Sequence, residues 1–575
     1  MMKDDINSDP TFNLVTEPWI PVTYTDEHKA DVSLSTVFKD ADQIQEISDE
    51  FPQFRIVLLR FLIAILLRAY SSQALSKRDA LALWSDLWTQ RHFDSEYVDE
   101  YLEHFKDRFD ILSPVTPFYQ VADLTYSDEK KEYDWISELV PDIPKPDKYL
   151  FAMKERSSSP PCIKLSEAAR YLILAQAFDF AGIKSPVEGN TQVKRGHVYA
   201  PHGVVQTGFV GAIGGVYVRG RTLYETLLFN MVLYDSRASN SDKESDVDLP
   251  PWERSLPSCD IVFREPNGPV DLLTWQSRRI RLIFDGEKNS AIGVVICYGD
   301  ATVSYDKHPY EWMTAWRSDG GLQKKLGLSH TPWVPLKHDP SKTIWEGLSA
   351  LLAARNEEGA DVRPGVIRWN ETLGEADIAL PKSGLIVSIC AQGIVYNIKK
   401  GSSAIIDSID DHFDLDVSMM RHDAQAAAAS IDLVSRTDQA VLSLMRYVRN
   451  MESSAGYMRQ NSTMENDIRE CAYSELNTIF RKRLSGFTPD QDIDSYSNDW
   501  KEEVRSVLLD LGKSYASAAS SSAFSVHRVK FGKKEELMTS GKAQILFYRG
   551  LTKALGSPTF NSGSRIEEDS HVEHL

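Results

Sequence analysis

The strongest chemical signature in the chain runs from Gly189 to Arg221. These 33 residues hold eight glycines, the four cations Lys194, Arg195, Arg219 and Arg221, and neither Asp nor Glu. The whole chain carries 83 acidic against 64 basic residues, a formal net charge of −19, so the segment reverses the local sign. Glycine lets backbone amides approach a ligand closely, and nearby cations favour phosphate. Phosphate or nucleic-acid binding is the chemistry this pattern suits; the plainer reading is a system of glycine turns joining strands. The run Gly208-Phe209-Val210-Gly211-Ala212-Ile213-Gly214-Gly215 spaces its glycines as GxxGxxGG. That is not GxGxxG, and no Lys-Ser/Thr pair follows, so dinucleotide and P-loop sites fail on spacing.

A second cationic region lies near the C-terminus. From Arg528 to Arg549 there are six cations, Arg528, Lys530, Lys533, Lys534, Lys542 and Arg549, against two acids, a local net of +4. At about 100° per residue, Lys542, Arg549 and Lys553 fall within roughly 40° of one another on a helix. Phe547, Leu551 and Leu555 lie opposite, so one face buries while the other shows a basic stripe. A solvated polar face is the plain alternative.

Catalytic constellations are missing from the sequence. The 13 histidines are scattered, without HExxH spacing, and there is no GxSxG elbow. His308, His338 and His412 read as surface or satisfied core histidines. The Asp410-Asp411 and Asp414 cluster reads as a helix-flanking acidic turn rather than a metal site. The five cysteines form no CxxC pair, which argues against a four-thiolate zinc site and suits a reducing compartment. No catalytic residue, metal or cofactor is expected. Two rival classes stay open: a hydrolase or transferase acting on a phosphorylated small molecule, and a scaffold whose basic patches meet acidic proteins.

The elements that must position these residues follow from hydrophobic periodicity. Phe54 to Tyr70 and Lys77 to Trp88 read as core helices, and Ser33 as the cap of a short one. Residues 125–165, rich in proline and mixed charge, read as a long loop followed by a helix from Leu165 to Phe180. Residues 236–260 read as an exposed linker, and Arg278 to Ile283 as a half-exposed strand with alternating cations. Further strands are expected near Gly293 to Tyr298 and Gly384 to Tyr396. Beyond residue 420 the pattern is helical, with runs through Met464–Leu484, Asn498–Ala519 and Lys542–Leu555 after a first amphipathic helix. The expected fold is α+β: a large mixed α/β domain over 1–420, a four-helix bundle over 421–556, and a disordered tail over 557–575. No run is long and apolar enough to span a membrane, and the N-terminus lacks a signal-peptide core, so a cytoplasmic location is expected.

Four sequence blocks carry a resemblance. Phe12-Asn13-Leu14-Val15-Thr16-Glu17-Pro18-Trp19-Ile20-Pro21-Val22, Pro117-Phe118-Tyr119-Gln120-Val121, Tyr217-Val218-Arg219-Gly220 and Leu273-Thr274-Trp275-Gln276 occur in the order found in the CasA family. That family supplies the large subunit of the type I-E CRISPR complex Cascade. The resemblance implies a non-catalytic protein that reads a short motif flanking the target (the PAM) from the minor groove, while guide RNA reads the sequence. It also implies that the protein starts strand separation and recruits a helicase–nuclease. The implied partners are the other Cascade subunits, the guide CRISPR RNA and target double-stranded DNA. By position, the family's aromatic loop falls at Phe151, with Lys154 and Arg156 beside it. Its glycine turn falls at Tyr199 to Gly203, with Lys194, Arg195 and His202 nearby. Its wedge falls at Asn397 to Ser402, including Lys399 and Lys400. Its bundle cations are Arg528, Lys530, Lys533, Lys534, Lys542, Arg549 and Lys553. Departures are a missing CxxC zinc element, Lys399-Lys400-Gly401 where relatives often carry glutamine, and Pro201-His202 ahead of Gly203.

Overall fold

The computed structural model describes residues 10–49, 51–74, 76–141, 143, 161–235, 248–352, 363–399, 402–421, 424–456, 463–519, 521–524, 526–531 and 534–558. The chain forms two compact units, Met1–His422 and Asp423–Leu575.

The first unit is organised around the helix Phe54–Ala69, in which 12 of 16 residues are buried. A helix apolar on nearly every side must be enclosed, and each fully buried Leu, Ile or Phe contributes about 1.5–3 kcal/mol. Its one deeply buried cation, Arg60, makes two 2.9 Å hydrogen bonds to the Glu311 carboxylate. Phe61 meets Trp19, Phe118 and Trp252 edge-on. Trp252 is 2% exposed, so residues 248–254 of the expected linker are packed chain, whereas 255–258 are exposed as expected. A large indole outweighs its polar neighbours. Tyr126, inside the expected 125–165 loop, is likewise core.

The three larger sheets described in this unit are antiparallel. Ile20–Tyr24 lies between Lys29–Val32 and Ile44–Ile47. Arg278–Phe284 pairs with Ser290–Tyr298, which also takes Asp134–Trp135 and Ile163–Lys164. Arg278 and Arg279 are 2% and 3% exposed, not half-exposed; buried Asp179 and half-buried Asp300 pair with them and let a charged strand enter the core. In the third sheet Ile386–Lys399 runs between Ser402–Asp416 and Gly215–Arg219. Asp410, Asp411 and Asp414 therefore sit on an edge strand, not in a helix-flanking turn. Asp410 accepts from Gln392 and Asp414 from Ser388. Acidic residues suit an edge because they discourage pairing with another strand.

The second unit contains the helices Gln425–Ser454, Thr463–Ser485, Ile493–Ala518 and Ser540–Leu555. Between the last two stands a hairpin, His527–Phe531 paired with Lys534–Met538. Period-two alternation in His527-Arg528-Val529-Lys530-Phe531 selects strand over helix there.

Candidate nucleic-acid interface

A cleft of about 460 Å³ opens in the first unit. One wall is the glycine segment, from Gly203 to Thr207 and Gly211 to Val216; another is the strand Ala391–Tyr396 with Ile398 and Ile409; a third is Leu336, Lys337, His338 and Pro340.

Backbone geometry explains the glycines. Arg195 and Gly196 take positive φ (54° and 74°) at the turn between Val193–Lys194 and His197–Val198. Gly203 has φ 86°, and open space surrounds the position of a Cβ. At Gly208 a Cβ would stand 2.3 Å from the Ala177 carbonyl carbon, and at Gly211 2.9 Å from the Tyr396 ring. Thus Gly203 is needed for conformation, and Gly208 and Gly211 for close approach. The first lies on the open side; the other two fasten the segment to its surroundings.

The opposite wall is the stem of a long hairpin. Its pairing continues to Asn397↔Ala404, Ile398↔Ser403 and Lys399↔Ser402, so these pairs stand at the tip end of the stem. Asn397 is exposed and Ile398 is 51% exposed. The stem is tied to the core helix: the Gln392 amide donates to the Pro52 carbonyl and accepts from the Ile56 amide, both at 3.0 Å.

A four-residue strap, Phe178 to Ala181, joins the two walls. Tyr396 Oη donates to the Phe178 carbonyl at 2.5 Å. The Ser403 amide and hydroxyl both donate to the Ala181 carbonyl, at 2.9 and 3.1 Å. From the glycine side, the Gly208 amide donates to the Asp179 carbonyl at 2.9 Å. Arg278 Nη2 donates to the carbonyls of Phe180 at 3.1 Å and Gln206 at 2.9 Å. Arg278 also pairs with the Asp179 carboxylate, which takes Lys184 Nζ at 2.9 Å. Burial alone would raise this carboxyl, but Lys184 and Arg278 overcome that and hold its pKa down at about 2.

The third wall brings a cation. Lys337 is exposed overall, yet its ammonium donates to the Gly211 carbonyl at 3.0 Å. Desolvation beside that wall pushes its pKa down to about 8. Desolvation also lowers His338, whose Nε2 lies 2.9 Å from the Lys342 carbonyl. Among the described residues no group of three or more His, Cys, Asp or Glu could hold a metal ion, and no helix is long and apolar enough to cross a membrane.

Of the residues singled out in the sequence, the cleft unites Gly203 with the wedge stem. Lys194, Arg195, Tyr199 and His202 belong to the same segment and are exposed, but do not line the cleft. Asn397 and the backbone of Lys399 belong to the hairpin tip. Phe151, Lys154, Arg156, Lys400 and Lys533 lie outside the described residues. In the second unit, Arg528 is exposed on the short hairpin, whose strands also carry Lys530 and Lys534. These three are therefore not on a bundle helix. Along Ser540–Leu555, Ala543, Phe547, Leu551, Ala554 and Leu555 are buried, while Arg549 and Lys553 are exposed and Lys542 is half-buried. Lys337 was not legible as a site residue: it stands alone in sequence, 134 positions from Gly203, and only the fold joins them.

Residues 13–511 match the family described as CRISPR-associated protein Cse1. Over 346 residues the chain is 28% identical to CRISPR-associated protein CasA/Cse1 of Thermus thermophilus; the match spans 59% of this chain and 60% of that relative's length. The fold is similar to that of Cse1 from Thermobifida fusca, with a TM-score of 0.82 and 30% identity over 95% of this chain and 98% of that one. A chain of a solved CRISPR RNA-guided surveillance complex shares the fold at a TM-score of 0.63 and 16% identity, over 89% of this chain and 99% of its own.

Proposed function

Because this chain belongs to the Cse1 family of CRISPR-associated proteins, we propose that it is the non-catalytic large subunit of an RNA-guided surveillance complex and reads a short motif flanking the DNA target. The observation that carries this reading is the cleft that sets the positive-φ turn at Gly203 against the stem of the 386–416 hairpin. A duplex entering there meets backbone groups on one side and an exposed tip, Asn397 and Ile398, on the other. Backbone and lysine donors suit the acceptor-rich floor of a minor groove, where readout separates mainly A·T from G·C pairs. An apolar side chain at the tip suits insertion between base steps, the usual way a wedge begins unstacking.

In this reading the guide CRISPR RNA supplies sequence specificity by pairing, and the protein supplies motif recognition and the first melting step. Exposed Arg549 and Lys553 of the last helix, with Arg528 of the preceding hairpin, hold displaced DNA by phosphate contact. The assembled complex then recruits the helicase–nuclease. The other Cascade subunits are the stable protein partners.

The test compares the purified complex with and without this chain on duplexes differing only in the flanking motif, at one fixed salt concentration. Motif-dependent affinity that requires the chain is the expected result. Identical binding with and without it would return the scaffold reading to first place.

A further inference from the structure

Two of the four sequence blocks meet at a second cavity, which shares no lining residue with the cleft. Pro117 to Gln120 and Gln276 line it together with Arg108, Arg254 and Arg279. Its volume is about 60 Å³, room for one tetrahedral oxyanion in place of about four waters at about 15 Å³ each.

Tyr119 is the anomaly in its wall. The Gln120 amide donates to the Pro117 carbonyl at 3.1 Å, closing a turn in which Tyr119 takes φ 56°. Glycine or asparagine ordinarily fills that position. A bulky residue there is strained, and such strain gathers at ligand sites. The ring is 8% exposed and stacks on Phe118 at 4.4 Å. Phenylalanine would fill that space equally well. The hydroxyl, however, has no hydrogen-bond partner among the described residues, although a buried hydroxyl ordinarily finds one. Burial holds the phenol far above its ordinary pKa, so it stays protonated and calls for an acceptor.

The surrounding charge calls for that acceptor to be an anion. Arg254 and Arg264 share the fully buried Asp271, and Arg264 and Arg279 share Asp300. Three guanidinium groups thus stand on two carboxylates. Arg108 adds a fourth: it donates to the carbonyls of Pro251 and Arg254 at 3.1 and 3.2 Å, and it pairs with no acid among the described residues. Arg254 Nε is buried without a hydrogen-bond partner there. Partly buried cations in excess of their carboxylates are costly unless a further anion joins them.

We propose that this cavity is a binding site for a phosphate group, with Tyr119, Arg108 and Arg254 as its donors. Guanidinium forks match the geometry of phosphate oxygens, and a protonated phenol adds a neutral donor. Occupation ties the turn at Tyr119 to residues 251–257 and stabilises the first unit as free ligand rises.

Isothermal titration calorimetry of the full-length chain tests the site, with inorganic phosphate and adenosine monophosphate as probes at one fixed ionic strength. Saturable binding at one site per chain is the expected result. Tyr119→Phe removes only the hydroxyl and should weaken binding about tenfold or more, as should Arg108→Gln. Phosphate bound more tightly than the nucleotide assigns a free ion, and the reverse order assigns a monoester; either supports the site. Absence of saturable binding by both probes overturns it. Affinity unchanged in Tyr119→Phe overturns it too, leaving an adventitious ion only. If circular dichroism shows that Arg108→Gln has lost its fold, Tyr119→Phe decides alone.

Discussion

Replacing Asp179 by Asn tests the strap that holds the two walls of the cleft together. The carboxylate faces Lys184 at 2.9 Å and Arg278, all three side chains being 7% exposed or less. In the wild type its pKa of about 2 lies below the ordinary 3.8. A depressed carboxyl stabilises the fold above its unfolded pKa, and the stabilisation disappears as pH falls from about 4 through about 2. The difference of nearly two units corresponds to about 2 kcal/mol. In Asp179→Asn the carboxamide cannot neutralise two buried cations. Removing one partner of a buried ion pair costs about 3–5 kcal/mol. Urea unfolding followed by tryptophan fluorescence reports this directly, since all 12 tryptophans except Trp500 precede residue 423. With a urea m-value of about 3 kcal/mol/M, the midpoint at neutral pH should drop by about 1–1.7 M. The gap between wild type and variant should narrow by about 2 kcal/mol between pH 4 and pH 2. Under conditions where the variant is still folded, its motif discrimination should fall, because Arg278 no longer fixes both Phe180 and Gln206. A variant within about 1 kcal/mol of wild type at neutral pH, or a gap independent of acid pH, would refute this account of the strap.

The other predictions concern single groups. Tyr396→Phe deletes the 2.5 Å bond to the Phe178 carbonyl and should cost about 1–3 kcal/mol in urea unfolding; the hairpin tip should also gain amide hydrogen exchange while the core helix does not. Lys337, at about 8 when DNA is absent, must carry a proton to meet DNA acceptors as a cation. Binding should therefore take up a proton, and affinity should fall from pH 7 to 9; Lys337→Arg, which stays charged, should flatten that profile. Charge reversal at Arg549 and Lys553 leaves the buried face of their helix untouched. It should weaken binding to displaced single strands with little change in unfolding midpoint, and equal binding in a gel-shift series would argue against the bundle assignment.

How much of this was legible beforehand depends on the range over which each signal acts. Helix Phe54–Ala69 and the last helix are written in local periodicity, and the sequence reading places them within one or two residues. The expected edge at Phe180 overshoots, because Asp179 turns extended (ψ 151°) and is held by Gly208 and Arg278, both distant in sequence. Arg278 and Arg279 looked half-exposed for a related reason: alternation reports which residues share a face, but only the partners Asp179 and Asp300 say that a cationic face is buried. The residues 248–254 were misread because composition averages polarity, whereas one indole, Trp252, decides the packing.

The same distinction applies within the candidate site. An acid-free, glycine-rich segment was visible as a chemical anomaly, yet its glycines do unlike things. Gly203 is free of neighbours and lines the cleft, whereas Gly208 and Gly211 are there because Ala177 and Tyr396 leave no room for a Cβ. A sequence shows glycine as permission and cannot say whether it permits a turn or a contact. Here it permits both, and the contacts give the turn its use. A flexible turn would follow a DNA groove wherever it went; one bound through Gly208 and Arg278 to the strap that also anchors Tyr396 and Ser403 presents its backbone at a fixed distance from the stem of the 386–416 hairpin. Under the proposed function, discrimination by a few backbone and lysine donors would depend on that fixed distance, because a wrong base pair can be rejected only if the donors cannot move to suit it.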